Sequence, residues 1–341
     1  MSNLALVVHG SELRQESIAI PSPAPHQVLV RLSHVAQNPT DIQALDGKAF
    51  GDRAVLGCDF VGEVVALGSA VTRFTKGDVV AALIWGGEIP GLGGYSHYTL
   101  ADERIAFKLP PGDVISREEA STVPLAAATA WLALFAKGCL DIDRDRCQGR
   151  SVLVWGGSSS VGLYTIQLAS LYGLEVVTTC SPRHADLVRA SGAAHVFDYR
   201  DADVVDKIRA VAPSLQYVFD TIGNETSSVM ASRAVGAGGN VCTVRPGKTY
   251  SENVASGVQV TSVLVFTAFL KDHSYGPYKW PASQDDHELA SEFFDLVPDL
   301  LASGKIKPSR PKVLGGLEAV PEGFQEYRDG KISGYKIVYR V

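Results

Sequence analysis

The chain has 341 residues, of which 46% are hydrophobic and 20% charged, with a net charge of −6. At roughly 100–200 residues per domain this length implies two domains with sizeable cores, and the acidic balance, without a basic stripe or an RNA motif, argues against nucleic acid as a partner. No apolar run approaches the roughly 20 residues of a membrane span, so no membrane partner is expected, and the scattered cysteines lack CxxC pairs, as suits a reducing, cytoplasmic setting.

The first stretch, MSNLALVVHGSELRQESI, has no basic leader region and reads as a strand, not a signal peptide. QVLVRLSHVA, DFVGEVVALG, GDVVAALI and YSHYTLA, split by Gly, Pro and Asp turns, predict a β-rich region up to about residue 115. The pattern then changes. REEASTVPLAAATAWLALFAKGC, apolar and rich in Ala, predicts one long helix stopped by Gly138. From SVLVWGG onward strands and helices alternate: a helix to Tyr172, then EVVTTC, HADLVRASG, HVFDYR, DVVDKIRAV, YVFDTIG, TSSVMASRAV, GNVCTVR and VQVTSVLVF. Six β-branched runs separated by helices imply an α/β fold, a doubly wound parallel sheet of the Rossmann type with both faces covered. HSYGPYKWPASQDD reads as a loop, HELASEFFDLVPDLLASGKI as a helix carrying Pro298, and YKIVYR as a last strand that rejoins the first region. The expected domains are therefore 1–117 with 273–341, and 118–272.

The most informative stretch is SVLVWGGSSSVGLYTIQLA, 151–169. Its strand runs into Gly156 and Gly157, which permit unusual backbone angles and close approach. Ser158, Ser159 and Ser160 offer hydroxyls, one of them a helix cap. A helix opening near Val161 presents free N–H groups and a partial positive charge that suit a phosphate. Gly162 allows tight helix–strand packing. The match to G-x-G-x-x-G is imperfect, and a plain strand–helix turn with a serine cap has the same look; the strands that follow favour a dinucleotide.

In NAD-binding chains an acid at the end of the second strand takes the ribose hydroxyls. Here EVVTTC runs into SPRH. Ser181, Arg183 and His184 suit a 2′-phosphate instead, Arg183 with its planar fork, so NADPH is the expected cofactor. A solvated arginine at a helix start reads the same way. Tyr199, after the third strand, lies either near the adenosine or in the core.

These segments, in this order, resemble the zinc-independent branch of the medium-chain dehydrogenase/reductase superfamily over nearly the whole chain. CDFVGEVVALGSAVTRFTKGDVVAAL at 58–83, VPLAAATAWLAL, the 151–169 stretch, VFDTIG and the final ISGYKIVYR carry the likeness. WGGSSSVG, SPRH and FDYRD resemble more narrowly the fungal trans-acting enoyl reductases, which serve polyketide synthases whose own reductase domain is inactive. Quinone oxidoreductases share much of the pattern. The resemblance implies a β-rich GroES-like catalytic domain beside the NADPH-binding one. It implies that Asp41, Ile42 and Gln43, with Val244, Arg245, Ser333 and Gly334, border the cofactor. It also implies that Val123, Pro124, Leu125 and Thr129, and Val263, Leu264, Val265, Phe266 and Thr267, line the substrate. Thr129 is the polar candidate near the nicotinamide, although a helical threonine bonded back to its own backbone fits equally. A buried core strand explains 263–267 nearly as well.

Departures from the family bear on the chemistry. Zinc-dependent relatives carry an early Cys and a Gly-His-Glu triplet where this chain has Asn38 and Leu56-Gly57-Cys58, and a four-cysteine lobe where it has WGGEIPGLGGYSHY. Neither zinc site forms with the usual ligands, and His9, His26, His34, His97 and His195 show no metal spacing, so no metal is expected. Trans-acting enoyl reductases often have Trp-Lys in place of Ile42-Gln43. The tyrosine that gives a proton in some mitochondrial-type relatives corresponds to Phe50, which leaves the catalytic group unidentified.

Without a metal, a substrate carbonyl is polarised by hydrogen bonds, as conjugate reduction allows: hydride to the β-carbon of an enoyl thioester, an enolate held by an N–H or hydroxyl, a proton to the α-carbon. The expected activity is NADPH-dependent reduction of an α,β-unsaturated chain on a polyketide synthase carrier domain, by a monomer or homodimer. The alternatives are a quinone or alkenal oxidoreductase acting on free small molecules, and a cofactor-binding protein without turnover.

Overall fold

The computed structural model describes residues 2–112, 114–247 and 250–341. The chain divides into two compact units, Met1–Leu125 with Phe266–Ser283 and Ser291–Val341, and Ala126–Val265 with Gln284–Ala290. Residues 118–125 and 266–272, grouped by pattern with the nucleotide-binding half, thus lie in the first unit, and 284–290 in the second. Hydrogen bonds account for the first of these: the Asp59 carboxylate accepts the Leu125 N–H at 2.6 Å, and the Lys336 ammonium donates to the Thr122 carbonyl at 3.3 Å.

In the second unit six parallel strands stand in the order His195–Asp198, Glu175–Cys180, Ser151–Trp155, Tyr217–Asp220, Asn240–Thr243, Gln259–Ser262. Counted along this unit the order is 3-2-1-4-5-6, the doubly wound arrangement, with its reversal between Ser151–Trp155 and Tyr217–Asp220. The β-branched residues of the four central strands are buried, those of the two edge strands half-buried, and Leu153, Val177, Val218 and Val241 share one core with Val204, Ile208 and Ala231 of the flanking helices Val204–Val211 and Glu225–Val235. The sixth strand is shorter than its sequence pattern. It stops at Ser262, and Val265–Ala268 form a 3₁₀ turn.

The first unit is built on a seven-stranded sheet. Along it run Pro311–Val313, Lys336–Arg340, Gln27–Ala36, Asp59–Leu67, Val79–Leu83 and Ala106–Lys108, with Tyr98–Asp102 paired to Gln27–Ala36. The last strand does rejoin the first region, pairing Val338 with Ala36. Gln27–Ala36 breaks register with Asp59–Leu67 at two places, each a bulge of the kind that bends and twists a strand. Phe60, Tyr95, Phe324 and Tyr339 fill the core of this unit.

Two sequence expectations fail locally. Residues 117–139 form two helices, Arg117–Ala120 and Pro124–Phe135, not one. Pro124 has no N–H to give the preceding turn and disfavours helix at Val123, so it opens a new helix. HSYGPYKW is no loop: His273–Tyr275 and Tyr278–Trp280 pair as a hairpin, with Gly276 at φ 57° in its turn. Among the described residues no helix is long and apolar enough to cross a membrane.

Candidate functional site

The loop after the first parallel strand is a cradle closed by its own backbone. Ser159 caps the helix Ser160–Leu171, its side chain accepting the Gly162 N–H at 2.9 Å, so the helix opens one residue before Val161. The Ser159 hydroxyl donates to Thr221 Oγ1, and Thr221 donates to the carbonyls of Trp155 and Gly156. Gly156 N–H goes to Thr179 Oγ1 and Gly157 N–H to the Thr179 carbonyl. The glycines have no room for a side chain. A Cβ on Gly157 would lie 2.0 Å from Thr178 Oγ1, one on Gly162 2.5 Å from the Gly156 carbonyl, and Gly156 sits at φ 84°. The loop lies at the carboxyl end of the strand beside the topological reversal, where a helix N-terminus meets a surface with no Cβ in the way. That is the arrangement a dinucleotide pyrophosphate fits.

Other expected cofactor residues gather at the carboxyl ends of neighbouring strands. Ser181 follows the second strand directly and leads into the 3₁₀ turn Pro182–His184, where Arg183 is exposed. Partial burial, then the Arg183 charge, lowers the His184 pKa. Tyr199 is not a core residue: it is 42% exposed, with the Arg200 guanidinium 4.6 Å from its ring centroid. Arg245 donates to the Gly223 carbonyl, and Val244 N–H to that of Asp220. Asp220, which sequence reading passed over, organises this edge. One oxygen accepts the Ile222 and Gly223 N–H groups, the other the Ser227 and Ser228 hydroxyls.

The remaining expected residues divide between the units. Thr129 is buried in the helix Pro124–Phe135, and Val263, Leu264 and Val265 are buried in the second unit. Asp41, Ile42, Gln43, Val123, Pro124, Leu125, Phe266, Thr267, Ser333 and Gly334 belong to the first. There Ile42 is core, and Asp41 is committed to the fold. Its carboxylate accepts the Asn38 N–H at 2.8 Å and the Tyr95 hydroxyl at 2.9 Å. Gln43 donates its amide to the Tyr327 hydroxyl at 3.3 Å. Ser333 and Gly334 are half-buried just before the last strand.

Beside Asp41 lies a buried ion pair. Lys336 Nζ is 2.5 Å from Asp59 Oδ2, which also accepts Asn38 Nδ2, while Asp59 Oδ1 holds Leu125 N–H. The pair fixes the segment 122–125. At the positions where zinc relatives have ligands, Asn38 is an amide donor and Gly57 has no side chain to offer. Burial, reinforced by the Asp41 charge, pushes the Cys58 thiol well up, so it stays protonated. Among the described residues no group of three or more His, Cys, Asp or Glu is placed to hold a metal ion.

An aromatic wall in the first unit completes the picture. Trp85 stacks on Phe266, rings 4.4 Å apart and 6° from parallel. Phe50 meets Trp85 and Tyr275 edge-on at 5.8 and 5.9 Å. Phe266 was expected at the substrate; Trp85 and Tyr275 were not. Tyr275 lies on the hairpin that the sequence presented as a loop.

Known proteins bear on this arrangement. The profile of the alcohol dehydrogenase GroES-like domain matches residues 24–111, and that of the zinc-binding dehydrogenases matches 160–271. A trans-enoyl reductase of Alternaria alternata is 36% identical over 353 aligned residues, covering 100% of this chain and 99% of its own. The enoyl reductase component of the lovastatin nonaketide synthase of Aspergillus terreus is 32% identical over 92% of this chain and 89% of its own. The crystal structure of an alcohol dehydrogenase superfamily protein from Novosphingobium aromaticivorans shares the fold, with a TM-score of 0.79 at 24% identity over 99% of both chains. The chain belongs to the medium-chain dehydrogenase/reductase superfamily, among the trans-enoyl reductases.

Proposed function

We propose that the protein is an NADPH-dependent enoyl reductase that saturates an α,β-unsaturated thioester presented by the carrier domain of a polyketide synthase. The observation that carries this reading is full-length identity of 36% to a named trans-enoyl reductase. In this reading the second unit holds the cofactor by its phosphates. Gly157, Ser158, Ser159, Ser160 and Val161 take the pyrophosphate. Ser181, Arg183 and His184, with no acid among them, take a 2′-phosphate, which favours NADPH over NADH. Tyr199 serves the adenosine, and Val244, Arg245, Gln43, Ser333 and Gly334 serve the nicotinamide end.

When bound, the reduced nicotinamide supplies hydride to the β-carbon. The chain's own part is to orient the thioester, exclude water and steady its oxygen through an N–H or hydroxyl, Thr129 being the candidate, as enolate charge builds there. Val123, Pro124, Leu125 and the residues 263–267 give the acyl chain an apolar surface. Zinc has no part in this reading, because an amide, a glycine and a protonated thiol stand where its ligands belong. The enzyme acts in the cytoplasm as a monomer or homodimer.

The test is NADPH oxidation with a short enoyl-pantetheine thioester, the saturated product confirmed by mass, and activity that survives EDTA. Reduction of a quinone or free enone, with no thioester of any length reduced, replaces this reading by the quinone-reductase one. Tight NADPH binding without oxidation by any of these substrates makes it a binding protein.

A further inference from the structure

The proton for the α-carbon has no donor so far, since Phe50 stands where a tyrosine serves some relatives. One imidazole in the first unit is built for the task. His273 opens the hairpin strand His273–Tyr275, and its side chain is fully buried. Nδ1 lies 2.6 Å from Glu88 Oε1, and the other Glu88 oxygen holds the Lys271 ammonium. Glu88 resists its own burial: the hydrogen bonds from His273 and Lys271 outweigh desolvation and keep its pKa below the ordinary value. An ionised carboxylate only accepts, so Nδ1 carries the hydrogen of that bond and Nε2 is the nitrogen left to exchange protons.

Nε2 is buried and has no polar partner among the described residues. A buried ring nitrogen left without a partner costs free energy, which a ligand atom reaching it recovers. Its surroundings are the aromatic wall. The His273 ring lies 5.3 Å from Trp85, which stacks on Phe266 and on Tyr275.

Resting on the function proposed above, we infer that His273 is a catalytic residue of the substrate site: its Nε2–H gives the proton to the α-carbon, and Glu88 is the positioning residue that orients it. Hydride addition at the β-carbon moves the double-bond pair toward the thioester oxygen. As the enolate returns that pair, the Cα–H bond forms, the Nε2–H bond breaks and the carbonyl is restored. The neutral imidazole then regains a proton from water.

His273→Asn tests this, because the asparagine amide replaces Nδ1 toward Glu88 and supplies nothing at Nε2. With a short enoyl-pantetheine thioester and NADPH, kcat is expected to fall at least about 100-fold, the range for loss of a general acid. NADPH affinity and Tm should stay near wild type. Two further readouts do not depend on rate. Calorimetric affinity for the enoyl-pantetheine without cofactor should drop several-fold. An α-methyl substrate reduced in D₂O should lose its single α-configuration. Glu88→Gln, which keeps a bond to Nδ1 without the charge, should lower kcat about 10-fold at unchanged KM, the scale of a lost orienting partner. It also serves if His273→Asn fails to fold. Turnover within threefold of wild type in these variants, with a single α-configuration, overturns the role of His273 and leaves the enoyl reductase standing. Wild-type protein inert toward every enoyl thioester overturns the proposed function, and this role with it.

Discussion

The glycine-serine loop of the second unit and the polar core of the first solve the same problem, holding a stretch of backbone still, by opposite means. The loop uses a dozen consecutive residues, 151–162, plus Thr178 and Thr179 of the adjacent strand and Thr221 just past the next, and almost all of its bonds involve backbone or hydroxyl groups. It carries no charge of its own. The polar core draws on Asn38, Asp41, Asp59, Tyr95, Leu125 and Lys336, scattered over the chain, and it buries charges to pin residues 122–125. A site built from contiguous small residues tolerates no added atoms. A site built from distant charges tolerates no missing partner.

That difference predicts the largest single effect in the charged core. Lys336 and Asp59 are 4% and 0% exposed at the side chain. Lys336→Met leaves the Asp59 carboxylate buried with only neutral donors, and loss of one partner of a buried pair costs about 3–5 kcal/mol. Urea unfolding checks it. A loss below about 1 kcal/mol would mean that Asn38 and Leu125 already satisfy the carboxylate.

At the loop's outer edge the prediction concerns selectivity more than stability. Arg183→Ala should weaken NADPH binding by about 1.5–3 kcal/mol, as for a hydrogen bond to a charged group, and leave NADH binding nearly unchanged. Equal weakening of both cofactors assigns Arg183 a structural role. Within the loop, Gly157→Ala introduces an atom 2.0 Å from Thr178 Oγ1. Overpacking of this kind costs about 1–3 kcal/mol and should lower cofactor affinity, with Thr178→Ala in the same chain restoring part of both. An unaltered Gly157→Ala protein would break the contrast, since the loop would then have slack.

The same contrast decides what could be read before the structure. The loop was legible because its signals are local: a strand, two glycines, a serine cap and a helix lie in one stretch, and only the helix start moved, by one residue. The order of the six parallel strands was legible as a class, from their alternation with helices. Lys336 and Asp59 are 277 positions apart, and neither has a neighbour in sequence that announces the pair. His273 and Glu88 are 185 apart and sit in stretches rich in glycine and proline, which read as loops. Trp85 and Phe266 meet only through the tertiary fold. Sequence periodicity reports which face a residue shows, but not what it meets there.

The smallest effect is a pH dependence, and it isolates the cost of burying charge. Burial, aided by the Asp59 charge, pushes Asp41 up from 3.8 to about 6, against the Asn38, Tyr95 and Cys58 groups that favour its ionised form. A carboxyl whose folded pKa is raised binds its proton more tightly in the folded state. Its contribution to stability is therefore full below pH 3.8 and is lost as pH rises through about 6. Tyr95→Phe removes an O–H that helps the carboxylate more than the neutral acid. The substitution should then cost more at pH 8 than at pH 5, by about 1 kcal/mol, the difference between a charged and a neutral hydrogen-bond partner. The space left by the hydroxyl is the same at both pH values and cancels in the comparison. Unfolding curves of both proteins at the two pH values measure it directly. A cost independent of pH would mean that Asp41 keeps one protonation state across this range, and that the polar core of the first unit is held by geometry alone, as the loop is.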